Sequence, residues 1–143
     1  MVAFDADYAL RDIFYPQVGL ENHTAGSVCR TGFFLDGRFA WETDPGWERE
    51  LGYAEDTLVT NVTMRHAELG LRVRFTDYVD MARDWLFRNL ELTSDRPVEV
   101  ARVFFHYDWY IKEVDLGCTT GYDAEQHAVI AYKKDRYFLL GVV

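Results

Sequence analysis

Apolar and polar side chains alternate along most of this 143-residue chain, and this alternation restricts its fold more than any other feature. In the segment 71–76, leucine, valine and phenylalanine alternate with two arginines and one threonine. A period of two residues is typical of an antiparallel strand that buries one face and exposes the other. No stretch of ten residues shows the 3.6-residue period of an amphipathic helix. The sequence therefore predicts an all-β chain.

Turn residues divide the alternating segments into about ten or eleven strands, at the spacing of roughly 8–12 residues that is typical of a sandwich or barrel. Asp36-Gly37, between the segments 29–35 and 38–41, is the strongest hairpin signal in the chain. The predicted fold is an antiparallel β-sandwich, and the length predicts a single domain that spans residues 1–143.

A second hairpin is predicted across residues 94–97, which would join a strand at 85–93 to a longer strand at 98–110. Large rings occur on both faces of the segment 104–110, so this strand is predicted to be covered on both sides. The last three strands are predicted at 118–122, 127–133 and 136–143, and one helical turn is predicted at 80–84.

The charge balance excludes some classes of partner. The chain carries 24 acidic and 15 basic residues, a net charge of −9, and its basic residues are scattered. A nucleic-acid surface needs a basic stripe, so no nucleic-acid partner is expected. No apolar stretch approaches 18 residues, and no basic segment precedes an apolar run. No membrane contact and no export signal are therefore expected, and the expected location is cytoplasmic.

The two cysteines give little evidence of chemistry. Cys29 and Cys118 are far apart in sequence and lack the spacing of a metal or redox motif. Two unpaired thiols are the expected state, with a disulfide between them as the alternative.

Acidic residues offer candidates for hydrolysis but no clear pair. Glycoside hydrolysis needs two carboxyl groups about 5–9 Å apart. The candidates close in sequence are Asp77 and Asp80, Glu48 and Glu50, and Asp108 and Glu113. None of them stands out from an ordinary acidic surface. His106 and Asp108 have the spacing of metal ligands on one strand face, but no third ligand can be named. No catalytic residue, metal or cofactor is therefore predicted.

The segment 11–24 is the least regular part of the sequence. Pro16 ends a strand because it has no backbone donor, and Glu21, Asn22 and His23 follow within a few residues. One interpretation is an ordered loop whose side chains bond its own backbone. The other is a surface that faces a ligand or another domain, since loops on rigid sheets often carry function.

The aromatic content, 16% of the residues, provides a second kind of candidate surface. Trp85 and Trp109 are candidates for stacking on sugar rings, because indole rings have flat apolar faces. The alternative is that these rings fill the core of the sandwich.

Several segments, in order along nearly the whole chain, resemble the N-terminal β-sandwich domain of prokaryotic glycoside hydrolase family 15, the glucoamylase, glucodextranase and trehalase-like enzymes. The segments that carry the resemblance are 11–16 (Arg-Asp-Ile-Phe-Tyr-Pro), 18–23 (Val-Gly-Leu-Glu-Asn-His), 36–39 (Asp-Gly-Arg-Phe), 53–60 (Tyr-Ala-Glu-Asp-Thr-Leu-Val-Thr), 104–108 (Phe-Phe-His-Tyr-Asp) and 135–138 (Asp-Arg-Tyr-Phe).

The resemblance implies a large antiparallel "supersandwich" packed beside an (α/α)6-barrel catalytic domain. In that family the barrel holds the two catalytic glutamates of an inverting hydrolysis of α-glucosidic bonds in glucans, maltooligosaccharides or trehalose. No acidic residue of this chain matches those glutamates. The chain is therefore expected to be a non-catalytic region of a larger N-terminal domain, inactive alone, that supports the barrel of a glucan 1,4-α-glucosidase or trehalase-like enzyme.

The resemblance also implies partners. The first is the barrel of the same polypeptide, and the parent enzyme would bind α-glucan or trehalose. The side chains expected at the domain interface or substrate rim are Arg11, Tyr15, Glu21, Asn22 and His23. Two alternatives remain open, a stand-alone carbohydrate-binding module and a structural interaction domain. Exposed sheet edges would also permit a homodimer.

Overall fold

The computed structural model describes residues 1–80, 82–114 and 116–142. They form twelve strands and one turn of 3-10 helix at Ile111–Glu113. The strands are β1 (Val2–Phe4), β2 (Leu10–Ile13), β3 (Arg30–Leu35), β4 (Arg38–Trp41), β5 (Trp47–Glu50), β6 (Val62–His66), β7 (Leu71–Val79), β8 (Leu86–Ser94), β9 (Ala101–His106), β10 (Thr119–Asp123), β11 (Ala128–Lys133) and β12 (Arg136–Gly141). The prediction of an all-β, sandwich-like fold is confirmed. No helix long and apolar enough to cross a membrane occurs in the described residues.

Two antiparallel sheets enclose the main core. One has the strand order β4–β3–β9 and the other β5–β6–β7–β8. The apolar side of the alternating segment 71–76 points inward, so Leu71, Val73 and Phe75 are all fully buried. Phe33 of the first sheet contacts both Phe75 and Trp47 of the second sheet. The alternation seen in the sequence therefore fixes which face of each strand lies in the core.

The hairpin at Asp36-Gly37 forms as predicted. Both residues have positive φ angles, 46° and 87°, which is the conformation that a tight two-residue hairpin turn requires. The Asp36 carboxylate also accepts hydrogen bonds from the backbone N–H groups of Glu99 at 3.2 Å and Val100 at 2.8 Å. Its own N–H donates to the Val100 carbonyl at 3.1 Å. The turn therefore anchors the chain that enters β9.

This anchor explains why the predicted hairpin across residues 94–97 is wrong. β8 pairs with β7 along its whole length, whereas β9 pairs with β3, from Arg30 opposite His106 to Leu35 opposite Ala101. The two strands thus lie in different sheets. Pro97, which has no N–H to donate to a ladder, lies in the crossing segment.

The predicted burial of 104–110 on both sides is also wrong. β9 ends at His106, and the outward ring of Phe104 remains 42% exposed. The sandwich covers one face of β9 and leaves the other face open.

Two smaller sheets complete the fold. β1 pairs with β2, and β10, β11 and β12 form an antiparallel meander, as the sequence predicted for the last three strands. Phe138 of β12 packs against His23 and Trp109, with ring centroids 4.8 and 4.7 Å away. The predicted helical turn at 80–84 includes residue 81, and the predicted last strand includes residue 143; both residues lie outside the described ones.

Candidate functional site

The open face of the β4–β3–β9 sheet is rich in rings and arginines. In an antiparallel pair, opposite residues share a face, and the register places Trp41 and Phe104 on either side of Gly32. Residues two positions farther along these strands point to the same outward face. We call this surface the outer aromatic face; its residues are Arg30, Gly32, Phe34, Phe39, Trp41, Arg102, Phe104 and His106.

The rings of this face meet edge to face. Phe39 lies 4.9 Å from Trp41 at 89° and 5.7 Å from Phe104 at 77°. They lean over Gly32, where a Cβ atom would come within 2.6 Å of Phe39 Cζ and 2.8 Å of Trp41 Cε3. Phe39 is nevertheless 44% exposed. Glycine at position 32 therefore lets two large rings lie over the strand and still meet solvent.

Two guanidinium groups rest on this ring cluster. Arg30 lies over Trp41, with its Cζ 4.2 Å from the ring centroid, and Arg102 lies 5.9 Å from the centroid of Phe34. Within the described ranges, neither side chain makes an ion pair or a hydrogen bond, and Arg30 Nε is buried without a partner. Ion pairs to carboxylates are made instead by Arg11, Arg49, Arg65, Arg74, Arg88 and Arg136.

The composition of the outer aromatic face suits binding. Aromatic residues and arginine are enriched at the cores of protein interfaces, where lysine and acidic residues are depleted. None of the eight residues is acidic or a lysine. Its histidine, His106, uses Nδ1 to bond the Val28 carbonyl at 2.9 Å. A shallow groove adjoins the face, and its lining includes Phe34, Val100 and Arg102 together with the acidic residues Asp36 and Glu99.

Several titratable groups with perturbed pKa values lie in the core instead, and Asp135 and Arg136 are the exceptions at the surface. Arg88 Nε donates to the Asp77 carboxylate at 2.8 Å, and both side chains are nearly inaccessible, at 8% and 1%. The Tyr8 hydroxyl donates to the same Asp77 oxygen at 3.0 Å and contacts Thr60 Oγ1 at 2.6 Å. Burial, and then the charge of Asp77, raise the pKa of the Tyr8 hydroxyl. This network joins the β1–β2 unit to the larger sheet.

Glu42 is the most unusual of these buried groups. It is fully inaccessible to solvent, and neither carboxyl oxygen has a partner among the described residues. Burial raises its pKa to about 7, against the opposing effect of the positive charge on Arg88. Burial likewise raises the pKa of the Cys29 thiol to about 11. Cys29 and Cys118 are both free, as expected. Because Glu42 and Cys29 have no route to solvent, they do not form a substrate site.

Most polar side chains of the loop 11–24 form hydrogen bonds within the chain. Asn22 Oδ1 accepts from the N–H groups of Ile13 and Thr24 and from the Thr24 hydroxyl, while Asn22 Nδ2 donates to Asp12. His23 is fully buried. Its Nδ1 accepts from the Lys112 N–H at 3.2 Å, so its Nε2 carries the proton that is donated to the Tyr15 carbonyl at 2.9 Å.

The remaining predicted interface residues also have internal partners. Both carboxyl oxygens of Glu21 accept from Arg136, at 2.8 and 3.3 Å. The Tyr15 hydroxyl donates to Asp84 at 3.3 Å. Arg11 pairs with its neighbour Asp12 and remains largely exposed. The structure thus brings Tyr15, Glu21, Asn22 and His23 together as an ordered loop, and their contact with a second domain stays a prediction.

The two candidate tryptophans differ sharply. The ring of Trp109 stacks on both Tyr107 and Phe138, with centroids 5.4 and 4.7 Å away, so protein rings already occupy it. Trp85 is 53% exposed and contacts Phe87, which stacks on Tyr78 across the β7–β8 pair. Of the two, Trp85 alone presents an open indole.

Sequence reasoning missed most of the outer aromatic face. Part of the signal was present, because alternate positions carry arginine, glycine and phenylalanine in 30–34 and arginine, phenylalanine and histidine in 102–106. These residues can be recognised as one surface only when β9 is known to pair with β3. Of the candidate acidic pairs, Asp77 and Asp80 do not form a hydrolytic site, since Asp77 is buried against Arg88. No group of three or more metal-ligating side chains occurs in the part of the chain that the structure describes.

No protein-family model, curated protein or solved structure matches this chain. The resemblance to glycoside hydrolase family 15 therefore stays a prediction.

Proposed function

We propose that this chain is a non-catalytic β-sandwich region of a family 15 glycoside hydrolase, and that it supports the catalytic barrel by docking through the outer aromatic face. The observation that carries the proposal is the open ring cluster of Phe39, Trp41 and Phe104 on the outward face of the β4–β3–β9 sheet. The sequence resemblance described above supplies the identity of the partner. The proposal assigns binding, not bond cleavage, to these residues.

The arrangement of the rings favours a protein partner over a sugar on this face. Rings that meet at 89° and 77° form a surface of edges and clefts instead of one flat plate. Side chains of a partner pack into such a surface, and the residues that dominate binding energy at interfaces are enriched in tryptophan, tyrosine and arginine. The exposed parts of Phe39 and Phe104 would lose contact with water on docking.

Calorimetric titration of the chain into a separately produced (α/α)6 barrel of family 15 tests this role. Binding is expected, and Phe104→Ala should weaken it by about tenfold or more, because a central ring is removed. The control is Leu58→Ala, which removes a side chain that is 88% exposed in a loop. Absence of binding by the natural chain, or equal loss in both variants, would reject the proposal. The chain alone should release no glucose from maltooligosaccharides or trehalose.

A second candidate function, a carbohydrate-binding module, is favoured by the exposure of Trp85. Its indole is flanked by the stacked pair of Phe87 and Tyr78, and the Arg83 guanidinium lies 5.2 Å from its ring centroid. An apolar ring face beside hydrogen-bonding groups suits a pyranose ring. Maltohexaose should then give calorimetric heat that Trp85→Ala abolishes and Tyr53→Ala, at another exposed ring, leaves unchanged. A natural chain that gives no heat eliminates this candidate.

A further inference from the structure

We propose that the outer aromatic face recognises an acidic segment of a protein, one that places two carboxylates on Arg30 and Arg102 with an apolar side chain between them. This inference rests on the proposed function only in placing a protein partner on this face.

The two guanidinium groups are held in position without a counter-charge. Arg30 lies on Trp41 and Arg102 lies on Phe34, and neither has a carboxylate partner within the residues described. A guanidinium stacked on a ring is partly ordered before binding, which reduces the entropy that binding would otherwise cost. Its planar set of donors fits a carboxylate through two parallel hydrogen bonds.

The strand register sets the spacing of Arg30 and Arg102, and this spacing sets how far apart the partner's two carboxylates should lie. Arg30 lies opposite His106, and Phe34 lies opposite Arg102. The arginines are therefore four residues apart along the strand direction, roughly 13 Å at the usual strand rise. Gly32 and the rings beside it lie between them. An extended segment with acidic residues at positions i and i+4, and an apolar residue at i+2, would meet both arginines and the rings.

The charge of the whole chain supports an acidic partner at this face in particular. The net charge of −9 disfavours acidic segments on average, whereas the eight residues of this face include two arginines and no acidic residue, although Asp36 and Glu99 line the groove beside Arg102. Complementary charge would thus set both the location and the register of the partner.

The test uses the peptide Ser-Glu-Ser-Phe-Ser-Glu-Ser with blocked ends, whose glutamates are four residues apart. Adding it to the isotopically labelled chain should shift the amide resonances of β3 and β9. Replacing both arginines, Arg30→Met with Arg102→Met, should weaken binding at least about tenfold, or about 1.4 kcal/mol. Raising the salt concentration should weaken binding by the natural chain. Methionine keeps an apolar stem on each ring, and the dispersion of the spectrum verifies that the variant is folded.

The matched control is Arg65→Met with Arg74→Met, which removes the same charge from exposed arginines of the other sheet. This control should bind like the natural chain. The inference is overturned if the natural chain shows no shift, if a peptide with lysine in place of glutamate binds equally, or if the Arg30 and Arg102 variant binds unchanged. Binding of oligogalacturonate without binding of the peptide would also overturn it, in favour of an acidic sugar. These outcomes are independent of barrel binding, so failure of the proposed function is detected separately.

Discussion

Glu42 illustrates how the position of one residue can make the stability of the sandwich depend on pH. It lies immediately after β4, and its N–H donates to the Thr31 carbonyl, so the backbone holds its side chain inside the core. The carboxyl group is fully buried and has a pKa of about 7 instead of 4.5. Protonation therefore favours the folded chain.

The sign of the pH dependence follows from this raised pKa. Between about pH 4.5 and pH 7 the folded chain binds a proton at Glu42 that the unfolded chain has released, so stability falls as pH rises through this window. We predict that Glu42→Gln removes this loss of stability. The difference between the free energies of unfolding of the variant and of the natural chain should then rise by about 3 kcal/mol between pH 4.5 and pH 8. Urea unfolding at several pH values measures it. The exposed Glu48→Gln should show no such trend, and an equal trend in both variants would contradict the assignment.

Gly32 gives a second prediction at the residue scale. Gly32→Ala should destabilise the chain by about 1–3 kcal/mol, because the new methyl group would collide with the rings of Phe39 and Trp41. Gly121→Ala is the control, since that strand glycine has nothing within 4 Å of the corresponding position. Urea midpoints at constant pH compare the two. If both variants lose the same stability, the strand glycine itself and not the ring contact is responsible.

At the scale of elements, the Asp77–Arg88 pair fastens β7 to β8 inside the core. Arg88→Met alone should cost about 3–5 kcal/mol, because it leaves the Asp77 carboxylate buried without its partner. Adding Asp77→Asn should restore part of this loss, since no buried charge then remains. Denaturant unfolding of the two single variants and the double variant measures the coupling. Simple additivity of the two single changes would contradict a direct pair.

The elements also show what could be predicted from the sequence. Local signals succeeded: the Asp36-Gly37 turn, the alternation in β7 and the final meander all depend on residues close in the chain. The placement of β9 failed, because it depends on the Asp36 side chain bonding residues 99 and 100. The outer aromatic face depends on that placement, so it could not be assembled from the sequence. In the loop 11–24, Asn22 bonds the loop backbone as one interpretation expected, but Glu21 and His23 bond Arg136 and Lys112, which are distant in sequence.

At the scale of the whole molecule, the last sheet carries an apolar face that the rest of the described chain leaves open. Tyr132 and Tyr137 stack at 5.6 Å on this face, and Leu139 beside them is 63% exposed. β12 is also an edge strand, since β11 is its only partner in the sheet as described. An exposed apolar edge favours pairing with a second chain. The homodimer that the sequence led us to expect is assigned here to this edge, as a prediction.

Leu139→Lys should reduce self-association, because a lysine on an edge strand places a charge where the second chain would pack. In sedimentation velocity, the average sedimentation coefficient of the natural chain should rise with concentration and that of the variant should stay constant. Leu58→Lys makes the same change at an 88% exposed loop position and should behave like the natural chain. A natural chain whose coefficient does not change with concentration would count against the dimer.

The contact between Asp36 and residues 99 and 100 has a consequence for the order of folding. The β3–β4 hairpin closes over two residues, whereas the bonds from its turn to the start of β9 span 63 and 64 residues. Doubling the length of a loop adds only about 0.6 kcal/mol to the free-energy cost of closing it, so the long loop costs little stability. Contacts between residues distant in sequence nevertheless slow folding considerably. We infer that the hairpin forms early and that β9 joins late, guided by an aspartate already in position. The outer aromatic face would then be among the last surfaces completed, so a partner bound there would meet only chains that have finished folding.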